Sequence, residues 1–133
     1  MGENGGVRWI LFAAAGGAIG ALARAGVAEL VPRSDGEFPW ATLIVNVVGC
    51  LAIGVAARRL STRGNAWPFV VTGVIGGFTT FSTFANETRD LFAAERPIAA
   101  FVYVAVTVAA GYACVAIGLH SPGTMAPVER SRQ

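Results

Sequence analysis

Hydrophobic positions in this chain form four long blocks, and the short stretches between them hold most of the charged residues. The blocks run from about residue 9 to 31, 40 to 57, 67 to 92 and 97 to 119. A helix needs about 20 predominantly apolar residues to cross a bilayer, so each block suffices for one crossing. The pattern predicts an all-α membrane protein with a single domain over 1–133, four transmembrane helices, and tails at 1–7 and 121–133.

Aromatic residues mark where these blocks begin. Trp9, Trp40 and Trp67 each stand at the start of a block, and tryptophan is typical of the membrane–water interface. A signal peptide is an alternative for the first block, because Arg8 precedes an apolar run. The length of that run favours a membrane-spanning helix.

Composition agrees with a location in the cell membrane. Hydrophobic residues make up 54% of the chain and charged residues 14%, whereas about a quarter of the residues in soluble domains are charged. A formal charge of +2 is too small to indicate a nucleic-acid partner. Cys50 and Cys114 lie within apolar blocks, and we interpret them as buried side chains rather than a disulfide framework.

Polar residues inside the first two blocks are candidates for function, because such residues are costly in a membrane. Gly16, Gly20 and Arg24 recur every four residues, and the two glycines would let another helix approach closely. Arg24 could extend to the interface, or it could place a positive charge in an aqueous vestibule. Asn46 could make an interhelical hydrogen bond, or it could donate to a permeating anion. The sequence leaves both pairs of alternatives open.

The third block contains the most unusual stretch, "GGFTTFSTF" at 76–84. Glycine and threonine are weak helix formers, so a break near the middle of this helix is predicted. Phe81 and Phe84 fall roughly opposite a polar face. The polar face comprises Thr79, Ser82, Thr83, Asn86 and Glu87. Such a face must line a cavity or a protein interface, and a break would free backbone groups for an ion.

The fourth block adds hydroxyl groups. Tyr103 and Thr107 lie one helical turn apart. They could extend the polar stripe of the third block, or the threonine could bond back to its own helix.

Three segments, taken together and in order, resemble the CrcB/Fluc family of fluoride channels. They are "GGAIGALAR" at 16–24, "TLIVNVVG" at 42–49 and "GGFTTFSTF" at 76–84. The resemblance implies four-helix subunits that form antiparallel, dual-topology dimers with two pores. It implies a protein without enzymatic activity, surrounded by membrane lipid, that exports fluoride passively.

The same resemblance implies roles for individual residues. Phe81 and Phe84 would offer their positive ring edges to fluoride, and Asn46 would donate amide hydrogens. Arg24 would be the vestibule arginine. The polar track would consist of Ser82, Thr83, Glu87, Tyr103 and Thr107.

A structural sodium ion (Na+) is also implied. The backbone carbonyls of Gly76 and Thr79 would hold it at the centre of the dimer. One departure from the family pattern concerns the vestibule, because "RAG" at 24–26 lacks the aromatic residue that often follows this arginine. The shape of the vestibule is therefore left open.

A small multidrug-type exporter is the alternative function, since it too would be a four-helix antiparallel dimer. Such an exporter would need an acidic residue deep in the first helix, and Glu29 is near the end of that block.

The distribution of arginines bears on orientation. One side of the membrane would carry Arg8, Arg58, Arg59, Arg63, Arg130 and Arg132. The other would carry Arg33 and Arg96, with Arg24 and Arg89 nearer the spans. This bias is moderate, so our hypothesis is a homodimer whose chains insert both ways. The alternative is a fixed orientation, with an inverted related subunit as partner.

Overall fold

Every long segment of the protein is helical in a computed structural model that describes residues 3–60 and 66–122. The helices are α1 (Glu3–Leu30), α2 (Trp40–Arg59), α3 (Gly76–Phe78), α4 (Phe81–Ala93) and α5 (Pro97–Leu119), and a π-helical segment (Pro68–Ile75) leads directly into α3. Four segments of the described chain are long and apolar enough to cross a membrane, namely Gly5–Leu30, Trp40–Arg59, Pro68–Ala93 and Pro97–Leu119. The prediction of four helices with an interrupted third one is confirmed.

Helix α1 begins earlier than the hydrophobic pattern suggests. Residues 1–7 are predicted as a tail, but the helix starts at Glu3. An apolar block marks where the hydrocarbon core begins, whereas a helix can continue into the interface until a residue breaks it. Arg63, Arg130 and Arg132, which enter the orientation argument, lie outside the described residues.

Glycines set the distance between α1 and the first half of the third span, Pro68–Phe78. Gly16 and Gly20 are both buried, and a Cβ atom on either would overlap a carbonyl oxygen of that half. The contact is reciprocal, since a Cβ on Gly73 would lie 2.8 Å from the Ala13 carbonyl oxygen. The two backbones therefore touch directly, which is the packing role expected of the glycine pair.

Helices α2 and α5 form a second close pair. A Cβ on Gly118 would lie 2.6 Å from the Leu51 carbonyl oxygen. At the end of this pair, Arg58 Nη1 donates to the Leu119 carbonyl at 3.1 Å and Arg59 Nη2 donates to the Pro122 carbonyl at 2.9 Å. The last carbonyls of a helix lack helical donors and carry partial negative charge, so Arg58 stabilises the end of α5, while Arg59 binds the chain just after it.

Helix α4 docks on α2 and α5 through a small apolar core. The buried residues of this core are Leu43 on α2, Leu91 on α4, and Ala100 and Tyr103 on α5. Leu91 and Tyr103 are completely buried, and Phe84 packs against the same cluster. This core holds the start of α4 at mid-span, where the third span is interrupted.

We expect Gly20→Ala to destabilise the protein and Gly17→Ala to be tolerated. The added methyl at position 20 would overlap backbone of the third span, whereas a Cβ at position 17 would meet nothing within 4 Å. Overpacking of this kind costs about 1–3 kcal/mol. The measurement is the temperature at which purified protein in detergent loses its monodisperse elution. Equal temperatures for the two variants would contradict the direct backbone contact.

Candidate functional site

The site is built around an interruption of the third span at Thr79 and Thr80. Both residues have extended backbone, with φ −76° and ψ 157° at Thr79 and φ −148° and ψ 121° at Thr80. Thr79 N–H still makes a helical bond to the Ile75 carbonyl at 3.0 Å. The helical pattern stops there and resumes in α4 at Phe81. The break predicted within 76–84 is thus two residues long.

Asn46 on α2 hydrogen-bonds to the backbone of Thr80 at the break. Its Oδ1 accepts from the Thr80 N–H at 2.9 Å, and its Nδ2 donates to the Thr80 carbonyl at 3.0 Å. The structure therefore shows the interhelical bond that was one interpretation of Asn46. A side-chain amide has two hydrogens, so this bond leaves a second one for another acceptor.

Thr80 also starts α4. Its Oγ1 accepts from the Thr83 N–H at 3.2 Å, which makes Thr80 the N-cap of the helix. The same oxygen lies 2.9 Å from Thr83 Oγ1 and 3.3 Å from Ser82 Oγ, so three hydroxyls gather at the helix start. Thr80 is not among the residues predicted for the site. The sequence signal for Thr80 is a hydroxyl residue directly before the start of a helix.

A second hydrogen-bonded group forms around Glu87, about two helical turns after Thr80. Thr42 Oγ1 donates to Glu87 Oε1 at 3.0 Å, and the Tyr103 hydroxyl donates to Glu87 Oε2 at 2.8 Å. Each oxygen of the Glu87 carboxyl group therefore has a hydroxyl partner. The structure thus brings the predicted residues Glu87 and Tyr103 together and adds Thr42, which the site prediction omits.

Two cavities lie on either side of the break. The first, which we call the arginine cavity, has a volume of about 370 Å³, and its polar lining is Arg24, Arg33, Thr42, Thr80, Thr83 and Glu87. The second, the phenylalanine cavity, has a volume of about 360 Å³, and its lining includes Asn46, Thr79, Thr80, Phe81, Phe84 and Thr107. Thr80 lines both, so one residue separates two spaces of different chemistry.

The phenylalanine cavity is incomplete within one chain. The rings of Phe81 and Phe84 have centroids 5.9 Å apart, and Phe81 is 80% exposed. Thr107 Oγ1 is buried and has no hydrogen-bond partner among the described residues, so it does not bond back to its own helix. Ser82 and Asn86 are exposed on α4.

Arg24 reaches the break from α1. Its Nη1 donates to the Thr79 carbonyl at 3.2 Å, and the side chain lines the arginine cavity. Of the two interpretations of this residue, the structure supports a positive charge inside a cavity. Gly76 is exposed, and its carbonyl loses its helical donor because the Thr80 N–H bonds to Asn46.

Residues 11–119 match the family described as "CrcB-like protein, Camphor Resistance (CrcB)". The chain belongs to this family.

Several relatives of this CrcB family member carry the name "Fluoride-specific ion channel FluC". A protein of Thermobifida fusca, named FluC 2, is 40% identical, and the alignment covers 90% of each chain. A Paracoccus denitrificans protein is 45% identical over 80% of this chain and 87% of its own. A Rhizobium leguminosarum bv. trifolii protein is 43% identical over 82% and 91%. The resemblance drawn from the motifs is confirmed, and with four span-capable helices this CrcB protein is a multi-pass protein of the cell membrane.

We expect Asn46→Leu to destabilise this CrcB protein. Leucine has similar volume but no polar atoms, so the Thr80 N–H would lose its partner at mid-span, and the Thr80 carbonyl would keep only the first hydrogen bond of α4. Each unsatisfied buried group costs about 1–3 kcal/mol. Thr72→Leu is the control, because Thr72 is exposed on the π-helical segment and the change also replaces a polar residue by leucine. Thermal unfolding in detergent gives the comparison, and an Asn46→Leu protein as stable as the control would show that the break does not depend on this amide.

Proposed function

We propose that this chain is the subunit of a fluoride-selective channel that exports fluoride passively from the cytoplasm. The observation that carries the proposal is the break at Thr79 and Thr80, which lies between a cavity lined by arginines and hydroxyl groups and one lined by phenylalanine. Relatives that the chain matches over most of its length are named as fluoride-specific ion channels. The proposed activity is passage down a gradient, with no reaction catalysed.

The chemistry of the two cavities suits a small, strongly hydrated anion. A pore for such an ion must replace its water with hydrogen-bond donors. Asn46 has a second amide hydrogen, and the Thr107 hydroxyl is buried without a hydrogen-bond partner in the part of the chain that the structure describes. The hydroxyls of Ser82 and Thr83 stand at the start of α4. These groups, with Glu87 and Tyr103 as the polar track, are the proposed permeation path.

Phe81 and Phe84 are proposed to line the narrow part of this path. An aromatic ring is negative on its faces and positive at its edge, so ring edges attract an anion. The tilt of 43° between the two rings prevents face-to-face stacking and leaves edges available. Apolar walls also keep bulk water out of the path.

We propose that a second copy of the chain completes the path in an antiparallel, dual-topology homodimer embedded in membrane lipid. One chain alone exposes polar side chains of α4 in a span that would cross the bilayer, namely Ser82, Thr83 and Asn86. Polar groups facing lipid are costly, so a partner surface is expected over them. An antiparallel pair with a related subunit is the alternative assembly.

The proposed sodium ion would sit at the carbonyls of Gly76 and Thr79. Both have lost their helical donors, since Thr80 N–H bonds to Asn46 and Thr83 N–H bonds to Thr80 Oγ1. Backbone carbonyl oxygens suit a hard cation. The described residues contain no group of three or more His, Cys, Asp or Glu that could hold a metal, so carbonyls are the ligands this proposal relies on. Arg24 already donates to Thr79, and it would share that oxygen.

We expect liposomes containing only this purified chain to pass fluoride and exclude chloride. Phe81→Ile and Phe84→Ile should each slow fluoride flux by about tenfold, which corresponds to about 1.4 kcal/mol of barrier, since isoleucine keeps the apolar wall but has no positive edge. Phe101→Ile is the control, because Phe101 is 69% exposed on α5 and lines neither cavity. Fluoride- and chloride-selective electrodes measure both fluxes. Equal chloride and fluoride flux would refute the channel proposal, and normal flux in both variants would remove the rings from the path.

We expect the purified protein to have the mass of two chains in sodium salts and to shift toward the mass of one chain when N-methylglucamine replaces sodium. A mass that is independent of sodium would refute the sodium site.

We expect the chain to insert into the membrane in both orientations, because the arginine bias is moderate. A C-terminal reporter that is active on only one side of the membrane should therefore give signal from each side when it is tested there. Signal from one side, with no flux from the chain alone, would favour the pair with a related subunit.

A further inference from the structure

From the sequence, Arg33 bears only on the orientation of the chain in the membrane. It lies in the loop between α1 and α2, and its side chain is 20% exposed. It lines the arginine cavity together with Arg24, which bonds to the break. It also lines a neighbouring cavity of about 460 Å³ with Trp40 and Arg96. Arg33 thus lies between the outer surface and the cavity that leads to the break.

The charge of the arginine cavity depends on this residue. Its charged lining residues are Arg24, Arg33 and Glu87. The two hydrogen bonds of the Glu87 carboxyl group come from the hydroxyls of Thr42 and Tyr103, which carry no charge that would offset it. With Arg33 the lining carries two positive charges and one negative, a net +1, whereas with Arg24 alone it would be neutral.

The acids near Arg33 are largely committed to other partners. Asp90 Oδ1 accepts from Arg89 Nη2 at 2.9 Å and from Arg89 Nε at 3.3 Å, while Asp90 Oδ2 lies 3.9 Å from Arg33 Nη2. Glu37 Oε2 accepts from the Ser34 N–H at 3.1 Å, and Arg33 Nη1 contacts only the Glu37 backbone carbonyl, at 3.5 Å. The positive charge of Arg33 is therefore only partly neutralised.

We propose that Arg33 is the outer anion-recruiting residue of the channel, and that Asp90 limits how much of its charge acts on the cavity. This inference rests on the proposed channel function. A cavity with low-dielectric walls and a net charge of one sign concentrates the opposite ion and raises its rate of access. Arg33 acts at the mouth and Arg24 at the break, so an anion meets two positive charges in sequence. Arg89, at 2.9 Å from Asp90 Oδ1, competes with Arg33 for this carboxylate.

The test measures initial fluoride flux into liposomes at low fluoride for Arg33→Gln, Arg33→Lys and Asp90→Asn. Arg8→Gln is the matched control, because Arg8 is exposed on α1, lines neither cavity and loses the same charge. At about 0.01 M salt, where the Debye length is about 30 Å, Arg33→Gln should lower flux by about 3- to 10-fold. Arg33→Lys and the control should stay within about twofold of the original protein, and Asp90→Asn should exceed it.

Ionic strength separates a charge effect from a packing effect. In about 1 M of an impermeant salt the Debye length falls to about 3 Å, so the deficit of Arg33→Gln should largely disappear. Elution volume confirms that each variant assembles like the original protein. A deficit that persists at high salt and is shared by Arg33→Lys would mean a packing role and would overturn the inference. So would normal flux of Arg33→Gln at low salt, or an Asp90→Asn flux no higher than the original. Absence of fluoride flux from the original protein would instead refute the proposed function.

Discussion

The pairing of one side-chain amide with one backbone unit holds this structure together at mid-span. Unpaired N–H and C=O groups are costly where water is scarce, so a broken helix needs substitute partners. Asn46 supplies a donor and an acceptor to Thr80 in a single contact. The start of α4, both cavities and the freed carbonyl of Gly76 all follow from the backbone turning out of its helix at this point. The amide therefore makes possible an irregularity that glycine and threonine merely permit.

The sequence was sufficient for the architecture because that architecture follows from local signals. Four apolar blocks predict four spans, and a run such as "GGFTTFSTF" predicts a weak helix within one of them. The chemical character of the site was also predictable, because polar residues within the spans, such as Asn46, Glu87 and Arg24, are too costly to be placed without a polar environment. All three residues lie within the region that matches the CrcB family, residues 11–119.

Relations between distant residues were not predictable in the same way. Periodicity places Glu87 on a helix face but does not show that Thr42, 45 positions away, donates to it. In the sequence Thr80 is one of several threonines in this stretch, and only its backbone conformation at the break shows that it caps α4. The position of Arg33 in the cavity lining could not be predicted, because a loop has no periodicity that would place its side chain. The division into two cavities depends on residues from several helices that line each cavity, which no single segment encodes.

The glycine contacts between α1 and the third span also limit how this protein can evolve. Where two backbones touch at Gly16, Gly20 and Gly73, no side chain is present that could shrink, lengthen or change rotamer to absorb a neighbour's substitution. Gradual drift is thus unavailable at these positions, since the smallest step from glycine already adds a methyl group. Exposed positions of the chain, such as Leu22 and Tyr112, touch no backbone in this way and can exchange for other bulky residues. Across divergent descendants, the distance between α1 and the first half of the third span should change least, and these exposed positions should change most.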